Sequence, residues 1–287
     1  MNIAMIGLGV IGGSFAKAIR KKYGNKYKLM AIDIDQATID KAKLMNVIDD
    51  GETKNETILQ QADVVIFALY PELMKSFVET HQHEFKAGAI LTDTTGIKRS
   101  VFEAMKDVIP DHIDFIFGHP MAGREKKGFD YADDSVFMDA NYVITENNKN
   151  KKENLDWFQN FVKDLGFKRI TITDIETHDA MIAHTSQLAH VIAVSLINSD
   201  DKSHETIRYI GDSYRDLTRI ANMNETLWSE LFMHNKDNLL ENITRFETAL
   251  SEIKNAIKDD DKTKMESLFI ESTQRRLKLE ESDMKIK

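Results

Sequence analysis

The sequence contains no cysteine and only three prolines among its 287 residues. Without cysteine, disulfide bonds and thiolate catalysis are both excluded. The chain has no Gly/Ser-rich linker, and its start lacks the basic region of a secretory signal. No apolar run approaches the roughly 20 residues that are needed to span a bilayer. These features together predict a cytoplasmic protein that does not act at a membrane.

Basic residues are in the minority. The 38 Lys and Arg residues are outnumbered by 47 Asp and Glu residues, so the formal net charge is −9 at pH 7. Nucleic acid is therefore not expected as the main partner, because a phosphate backbone requires a basic surface. Small anions are not excluded, since helix N-termini and a few arginines can hold them. The length is sufficient for two modest domains.

The hydrophobic pattern changes character near residue 172. Before this point, short apolar runs alternate with helical patterns, which predicts an α/β domain with a doubly wound parallel sheet. After Thr173 only helical patterns follow. We therefore predict a Rossmann-type domain over residues 1–172 and an all-helical domain over residues 173–287. The predicted strands are Ile3–Ile6, Leu29–Ile32, Val64–Leu69, Ala89–Thr92, Asp114–Phe117, Tyr142–Thr145 and Arg169–Ile172.

The helical region opens with a long apolar stretch, Ile175–Ile197, for which Asp174 is the expected N-cap. Its apolar face is larger than a surface helix needs. Two interpretations stay open, a homodimer interface and the central helix of a bundle. Further helical patterns cover Glu205–Tyr209, Glu225–Ile257 and Lys262–Leu279. The apolar face comprises Met181, Leu188, Ile192 and Leu196.

Three glycines, Gly7, Gly9 and Gly12, form a G-x-G-x-x-G pattern between the first predicted strand and the first helix. In dinucleotide-binding domains these glycines allow a tight turn, close approach of the pyrophosphate and close packing of helix on strand. Asp33 follows at the end of the second strand, where a carboxylate can bind ribose hydroxyls and repel the extra phosphate of NADP. NAD is therefore the predicted cofactor. A glycine-rich turn in another α/β protein is the alternative. The same site is expected to include Leu8, Ile11, Leu69 and Thr94.

His119 begins the sequence His119-Pro120-Met121-Ala122-Gly123 at the carboxyl end of the fifth predicted strand. Ligands bind at this edge of doubly wound sheets, so His119 is expected to face the nicotinamide. A neutral imidazole there can accept the proton of an alcohol while a hydride moves to the nicotinamide. The alternative is a histidine that only caps a strand. We assign no metal ligands.

With the glycine pattern, the motif at His119 and the sequence Asp216-Leu217-Thr218-Arg219-Ile220-Ala221, the chain resembles the prephenate dehydrogenase family over residues 1 to about 280. The resemblance implies NAD-dependent oxidative decarboxylation of prephenate to 4-hydroxyphenylpyruvate, a step of tyrosine biosynthesis. It also implies a homodimer formed through the helical domain. By the same resemblance, His119 accepts a hydrogen bond from the ring hydroxyl, and Arg219 binds a substrate carboxylate.

Other substrate contacts follow from the resemblance alone. His190 and Gln187 lie on the long apolar helix, where relatives carry a histidine-rich motif, and Glu125 follows the motif at His119. Some relatives have a serine at the position of Gly96, whose hydroxyl orients the catalytic histidine. Thr95 or Thr94 is expected to supply that hydroxyl here, and Asp212 introduces a negative charge before the Arg219 motif.

Four functions remain open: a prephenate dehydrogenase, an arogenate dehydrogenase, another two-domain reductase and an NAD sensor. Arogenate has the ring of prephenate but an amino acid side chain, and Gln187 and Asp212 are the residues that could distinguish the two. A second class comprises other two-domain reductases of hydroxy acids or imines, which tend to use a lysine of the helical domain as acid or base. A third reading is a non-enzymatic NAD sensor, because a fold alone does not fix a function.

Overall fold

An eight-stranded sheet organises the first 173 residues in the computed structural model, which describes residues 1–123, 126–201 and 205–285. The strand order is β3-β2-β1-β4-β5-β6-β7-β8. β1 to β6 are parallel, β7 is antiparallel to β6, and β8 is parallel to β7. The strands are β1 (Asn2–Ile6), β2 (Lys28–Ile32), β3 (Asp50–Glu52), β4 (Val64–Phe67), β5 (Ile90–Asp93), β6 (Asp114–Pro120), β7 (Asn141–Thr145) and β8 (Arg169–Thr173).

Helices pack on both faces of the sheet and continue beyond it. The helices are α1 (Val10–Tyr23), α2 (Gln36–Leu44), α3 (Ile58–Gln61), α4 (Pro71–His81), α5 (Arg99–Met105), α6 (Lys152–Asp164), α7 (Ile175–Ile182), α8 (Leu188–Asn198), α9 (Asp212–Thr218), α10 (Glu225–His234), α11 (Lys236–Lys258) and α12 (Lys262–Lys285). This architecture confirms the predicted fold class, a Rossmann-type α/β domain followed by a helical region.

Both faces of the central strands are buried. In β1, Ile3 and Met5 belong to one hydrophobic cluster, whereas Ala4 and Ile6 belong to the cluster on the opposite face. Strands covered on both sides read as continuous apolar runs, which explains why the sequence located them. The sequence did not predict β3, because Asp50-Gly51-Glu52 has no apolar residue.

The antiparallel direction of β7 corrects the expectation of a wholly parallel sheet. Parallel neighbours require a long crossover, usually a helix. The described residues between β6 and β7 instead form two 3₁₀ turns, Phe129–Tyr131 and Asp134–Phe137. The chain thus returns along the edge of β6 in the opposite direction, and β8 follows β7 through α6.

The long apolar stretch forms one helical rod, in which a π-helical turn at Ala183–Gln187 joins α7 to α8. Asp174 caps it as predicted, since its carboxylate accepts from the N–H of Thr177 at 2.7 Å. Of the predicted apolar face, Leu188 is buried but Met181 is 52% exposed. Ile192 and Leu196 are half-buried. The described chain therefore covers this face only in part.

This rod also changes one conclusion drawn from composition. Ile175–Asn198 has a mean hydropathy of 1.5 in its most apolar window, so by length and composition alone it could cross a membrane. The expectation that no segment of the chain reaches this length was wrong. The feature is weak support for a membrane span, because core helices of soluble proteins share it.

Contacts group the chain into two compact units, Met1–Lys236 and Asp237–Lys287. The predicted division at residue 172 stays a prediction. In the second unit, α11 and α12 are joined by an ion pair of 3.3 Å between Lys264 and Glu252. Phe269 and Ile270 of α12 are more than half exposed. Two helical predictions need revision: the Glu225–Ile257 pattern is interrupted at Asn235, and the Glu205–Tyr209 pattern forms only a 3₁₀ turn, Thr206–Arg208.

Candidate active site

The glycine-rich loop leaves β1 and turns directly into α1. Gly7 has a φ of +91°, which favours glycine, and its N–H donates to the carbonyl of Ile32 at 2.8 Å. A Cβ on Gly12 would lie 1.9 Å from the carbonyl oxygen of Gly7. No side chain fits at this distance, so the turn and the start of the helix both depend on glycine.

Gly9 differs from Gly7 and Gly12, because the space around its Cα is empty of described protein atoms. A Cβ built on Gly9 meets no atom of the described protein within 4 Å. Gly9 is the N-cap residue of α1, so the N–H groups of the first turn point toward this open space, beside the half-buried Ile11. An open helix N-terminus next to a glycine-rich turn is suited to a pyrophosphate. The residues present therefore fit a dinucleotide.

Asp33 lies at the end of β2 and is half-buried. One carboxylate oxygen accepts from the N–H of Leu8 at 2.6 Å, and the other accepts from the N–H of Asp35 at 2.9 Å. The carboxylate thus ties the glycine-rich loop to the end of β2. Each oxygen retains accepting capacity, so Asp33 can hold this loop and a ribose hydroxyl together.

Two further cofactor residues of the prediction lie at the ends of β4 and β5. Leu69 is half-buried, with its side chain 3.1 Å from a Cβ placed on Gly7. The N–H and hydroxyl of Thr94 both donate to the carbonyl of Phe67, at 3.0 and 3.2 Å. The carboxyl edge of the sheet therefore brings the glycine-rich loop, Asp33, Leu69 and Thr94 to one side. Their contact with a cofactor stays a prediction.

His119 stands near the carboxyl end of β6 and is half-buried. Its Nδ1 lies 2.9 Å from Nε2 of His178 in α7. Its Nε2 faces Gly96, where a Cβ would be 3.7 Å away. Burial holds the pKa of His119 well below its ordinary value of 6.5, and electrostatic interactions with His178 and Lys98 act in the same direction. At neutral pH the ring is uncharged and can accept a proton.

A buried ion pair lies beneath this histidine. Nζ of Lys98 is 2.7 Å from Asp93, and both side chains are fully buried. The other oxygen of Asp93 accepts from the N–H of Gly118 at 3.1 Å, which fixes the strand just before His119. Burial lowers the pKa of Lys98, and the charge of Asp93 opposes that effect. Lys98 also donates to the hydroxyl of Thr95 at 3.0 Å.

Neither threonine reaches His119. The hydroxyl of Thr95 contacts Asp93 and the carbonyl of Ile97, and the hydroxyl of Thr94 contacts Phe67. Neither the Thr94 hydroxyl nor the Thr95 hydroxyl therefore takes the place of the serine that some relatives carry at the position of Gly96. Sequence reasoning missed His178 and its neighbour, because a histidine and an aspartate in the first turn of an apolar helix carry no spacing signal of their own.

Two residues of the histidine-rich region have different surroundings. His190 stacks on Trp228, with ring centroids 3.6 Å apart, and its Nδ1 donates to the carbonyl of Ser186 at 2.9 Å. Gln187 is buried at the π-helical turn. Its amide donates to the carbonyl of Leu231 and accepts from Asn235, both at 2.9 Å.

Arg219 is exposed on a 3₁₀ turn, Arg219–Ala221, that packs against α8. Asp212 lies nearby in sequence but is directed outward: its side chain is 98% exposed and 3.5 Å from Arg215. Glu125 lies outside the described residues. The structure therefore groups His119 with the cofactor loop and α7, and places Arg219 beside the helix that carries His190.

Comparisons with known proteins identify the relatives of this chain. Residues 15–171 match the family model described as prephenate dehydrogenase, nucleotide-binding domain, and residues 174–271 match prephenate dehydrogenase, dimerization domain. The chain is 32% identical to prephenate dehydrogenase of Lactococcus lactis, covering 97% of this chain and 77% of the relative. It is 30% identical to cyclohexadienyl dehydrogenase of Zymomonas mobilis, covering 97% and 96%.

A solved structure shares both the fold and part of the sequence. Prephenate dehydrogenase from Aquifex aeolicus, in complex with hydroxyphenyl propionate and NAD+, superimposes with a TM-score of 0.88 at 26% identity, covering 97% of this chain and 98% of that chain. The first family model alone matches more than half of the sequence. Together with the glycine-rich loop and the half-buried, neutral His119, these similarities show that the chain belongs to the prephenate dehydrogenase family.

Proposed function

We propose that this protein is an NAD-dependent dehydrogenase that converts prephenate to 4-hydroxyphenylpyruvate and carbon dioxide, as in tyrosine biosynthesis. The observation that carries the proposal is the neutral His119 at the carboxyl end of β6, on the same edge as the glycine-rich loop. The Aquifex relative binds NAD+ and hydroxyphenyl propionate, an aromatic acid close to the expected product.

The residues divide the chemistry between them. NAD, when bound, supplies the hydride acceptor. As the hydride leaves the carbinol carbon, the hydroxyl proton moves toward Nε2 of His119. A general base at this place typically accelerates the reaction by about 10²–10⁴-fold. When carbon dioxide departs and the ring becomes aromatic, the ring oxygen recovers that proton. One hydride and one carbon dioxide thus leave the substrate. The cofactor that receives the hydride would be held by the glycine-rich loop, at Gly7, Gly9 and Gly12, and by Asp33.

Substrate binding is proposed for the residues around α8. Arg219 offers a permanently charged guanidinium for a carboxylate, and His190 offers an imidazole stacked on Trp228. The polar groups of Gln187 and Thr95 already have partners in the protein, so their proposed role is to shape the site. Glu125 is retained as a proposed contact of the substrate entrance on the resemblance alone.

Arogenate is the second candidate substrate. The Zymomonas relative is named for the cyclohexadienyl ring, which prephenate and arogenate share. Asp212, which the sequence analysis named as a residue that could distinguish arogenate, points outward, so its carboxylate is not placed to meet an amino group of the substrate. This geometry favours prephenate. Other hydroxy-acid or imine reductases and an NAD sensor remain the contrasting classes that an assay must exclude.

The decisive experiment offers prephenate and arogenate separately to the purified protein with NAD and follows the absorbance of NADH. We expect faster turnover of prephenate. Preference for arogenate would keep His119 and NAD in their roles and change only the side-chain contact. Binding of NAD without turnover of either compound would contradict the proposal and support the sensor.

A homodimer in the cytoplasm completes the proposal. The second matched family model is described as a dimerization domain. Within the described residues, α12 carries exposed Phe269 and Ile270, and Met181 is exposed on α7. Neighbouring exposed apolar side chains, such as Phe269 and Ile270, are typical of an interaction surface when they form a contiguous patch. Sedimentation at several concentrations tests this assembly, and a monomer at all concentrations would contradict it.

A further inference from the structure

Three side chains form a hydrogen-bonded row that ends at the proposed base. Nδ1 of His119 is 2.9 Å from Nε2 of His178, and Nδ1 of His178 is 2.7 Å from Oδ1 of Asp179. His178 is 2% exposed and Asp179 is 1% exposed. No step of the proposed reaction has so far used either residue. Their arrangement resembles the way a buried carboxylate orients a catalytic imidazole in hydrolases.

Asp179 is the fixed end of the row. Its two oxygens accept from the backbone N–H groups of Lys98 and Arg99, each at 2.8 Å. Burial would raise the pKa of Asp179, but the hydrogen bonds from His178 and from these two N–H groups outweigh burial and lower it. Asp179 is therefore a carboxylate at neutral pH and can only accept hydrogen bonds.

The ionised carboxylate determines where the protons lie. Because Asp179 has no proton to donate, Nδ1 of His178 must donate to it. Burial lowers the pKa of His178, so its ring is neutral and its Nε2 is an acceptor. Nδ1 of His119 must then donate to that nitrogen. The proton of His119 is thus placed on Nδ1, and the lone pair of Nε2 faces Gly96.

We propose that His178 is a positioning residue. Together with Asp179, it holds His119 in the tautomer whose Nε2 can accept the proton of the substrate hydroxyl. This role replaces the serine that some relatives carry at the position of Gly96. It rests on the proposed function only in assigning the hydroxyl to a substrate, since the tautomer follows from the protein alone.

Two other charged side chains lie near His119 and His178. Asp93 reaches the strand of His119 through the N–H of Gly118, and Lys98 lies between β5 and α5. These two form their own buried ion pair at 2.7 Å. Neither contacts an imidazole nitrogen in the hydrogen bonds of the described residues. The polarity of the row therefore depends on Asp179 and not on the neighbouring pair.

The first test measures the tautomer without substrate or turnover. Long-range ¹H–¹⁵N correlation of ¹⁵N-histidine-labelled enzyme distinguishes a protonated Nδ1 from a protonated Nε2, and the signals missing in His119→Asn identify His119. We expect the Nδ1–H tautomer in the unmodified enzyme. An Nε2–H tautomer would overturn the proposal whatever the variants do. This readout does not depend on identifying the substrate.

The second test compares His178→Leu, which removes the acceptor, with His178→Gln, whose amide can accept from His119 and donate to Asp179. Loss of a residue that orients a functional group typically costs about 10–100-fold in activity. We expect such a fall in kcat for His178→Leu, with KM for the substrate within about twofold, and a substantial recovery in His178→Gln. His112→Gln, at an exposed site, is the matched control.

The outcomes separate this proposal from the function. A Leu variant that keeps both the Nδ1–H tautomer and the wild-type kcat would overturn the positioning role. Equal losses in kcat for the Leu and Gln variants, with the tautomer unchanged in both, would assign His178 a purely structural role and also overturn it. Absence of turnover by the unmodified enzyme would contradict the proposed function instead, and the measured tautomer would stand.

Discussion

The two nitrogens of His119 have different surroundings, and this difference determines its chemistry. Nδ1 contacts His178, whereas Nε2 faces Gly96, beside the side chain of Leu231. Burial keeps the ring neutral at physiological pH. An imidazole with one occupied and one accessible nitrogen is suited to accept a single proton from a defined direction.

Replacing His119 by asparagine should remove this acceptor and leave the cofactor loop intact. We expect His119→Asn to lower kcat by about two to four orders of magnitude, the usual contribution of general acid–base catalysis. The affinity for NADH, measured by fluorescence titration, should stay near that of the unmodified enzyme. Turnover close to the wild-type rate would remove His119 from its catalytic role.

Arg219 should act on substrate affinity. Hydrogen bonds to charged groups contribute about 1.5–3 kcal/mol, so Arg219→Gln should raise KM for the substrate by roughly 10–100-fold with little change in KM for NAD. Initial rates at varied substrate concentration measure this. Arg215→Gln is the control, because Arg215 is also exposed and pairs with Asp212. An unchanged KM in Arg219→Gln would place Arg219 outside the site.

Asp33 combines a structural contact with its proposed ribose contact. Asp33→Asn keeps the size of the side chain but loses its charge, so discrimination against NADP should weaken and NAD should bind less tightly. Asp33→Ala should additionally lower the melting temperature, since it leaves the N–H groups of Leu8 and Asp35 without this carboxylate. Titration with both cofactors, alongside thermal melts, measures the two effects. Unchanged cofactor preference in both variants would refute the ribose contact.

At the scale of elements, the loop between β1 and α1 offers a matched pair of glycines. Gly9→Ala places a methyl group in open space with φ at −66°, so the fold should tolerate it while the pyrophosphate is obstructed. Gly12→Ala places the methyl group 1.9 Å from the carbonyl of Gly7. Overpacking of this kind costs about 1–3 kcal/mol or more.

Melting temperature and NAD affinity together separate the two variants. We expect Gly9→Ala to melt like the unmodified protein but to bind NAD poorly, and Gly12→Ala to lose stability as well as binding. The reverse order of stabilities would show that the loop does not have the described conformation. Tight NAD binding by Gly9→Ala would place the pyrophosphate elsewhere.

The sequence located the elements whose side chains carry a periodic signal. The sequence predicts β1, β2 and β4 because burial on both faces leaves them apolar after the first residues of β1 and β2, Asn2 and Lys28. It predicts Asp174 as a cap from its place before the apolar helix. β3, with no apolar residue, gave no such signal. The residues of the glycine pattern and His119 followed from motif spacing.

Features that depend on distant partners could not be predicted in this way. The direction of β7 is set by its pairing with β6, and the break between α10 and α11 occurs where the Asn235 amide donates to Asp179 and Gln187. The partner of His119 is likewise separated from it by 59 positions. Residue periodicity describes local faces, whereas these contacts arise from packing between elements.

For the whole molecule, the half-buried His119 and the buried His178 make stability depend on pH. Burial lowers the pKa of His119 and His178 below the ordinary value of 6.5. As pH falls below about 6.5, the unfolded chain therefore takes up protons that the folded protein does not. The unfolded state then binds more protons, so the free energy of unfolding decreases as pH falls.

Denaturant unfolding at about pH 7.5 and about pH 5.5 measures this effect. The loss is about 1.4 kcal/mol per histidine for each pH unit over which only the unfolded state is protonated. His119→Asn should show a smaller decrease, because one of the two buried imidazoles is gone. An equal or steeper decrease in that variant would assign the pH dependence to other groups.

The hydrogen bond between His119 and His178 also bears on the order in which cofactor binding and catalysis arise during synthesis of the chain. His119 belongs to the region matched over residues 15–171, and His178 belongs to the region matched from residue 174. During synthesis, N-terminal regions leave the ribosome and fold first. The nascent chain is thus expected to hold its cofactor while the ring of His119 still turns freely. We expect efficient hydride transfer only once the first turns of α7 have emerged and packed against His119, so a chain that ends before α7 should bind NAD but consume it slowly or not at all.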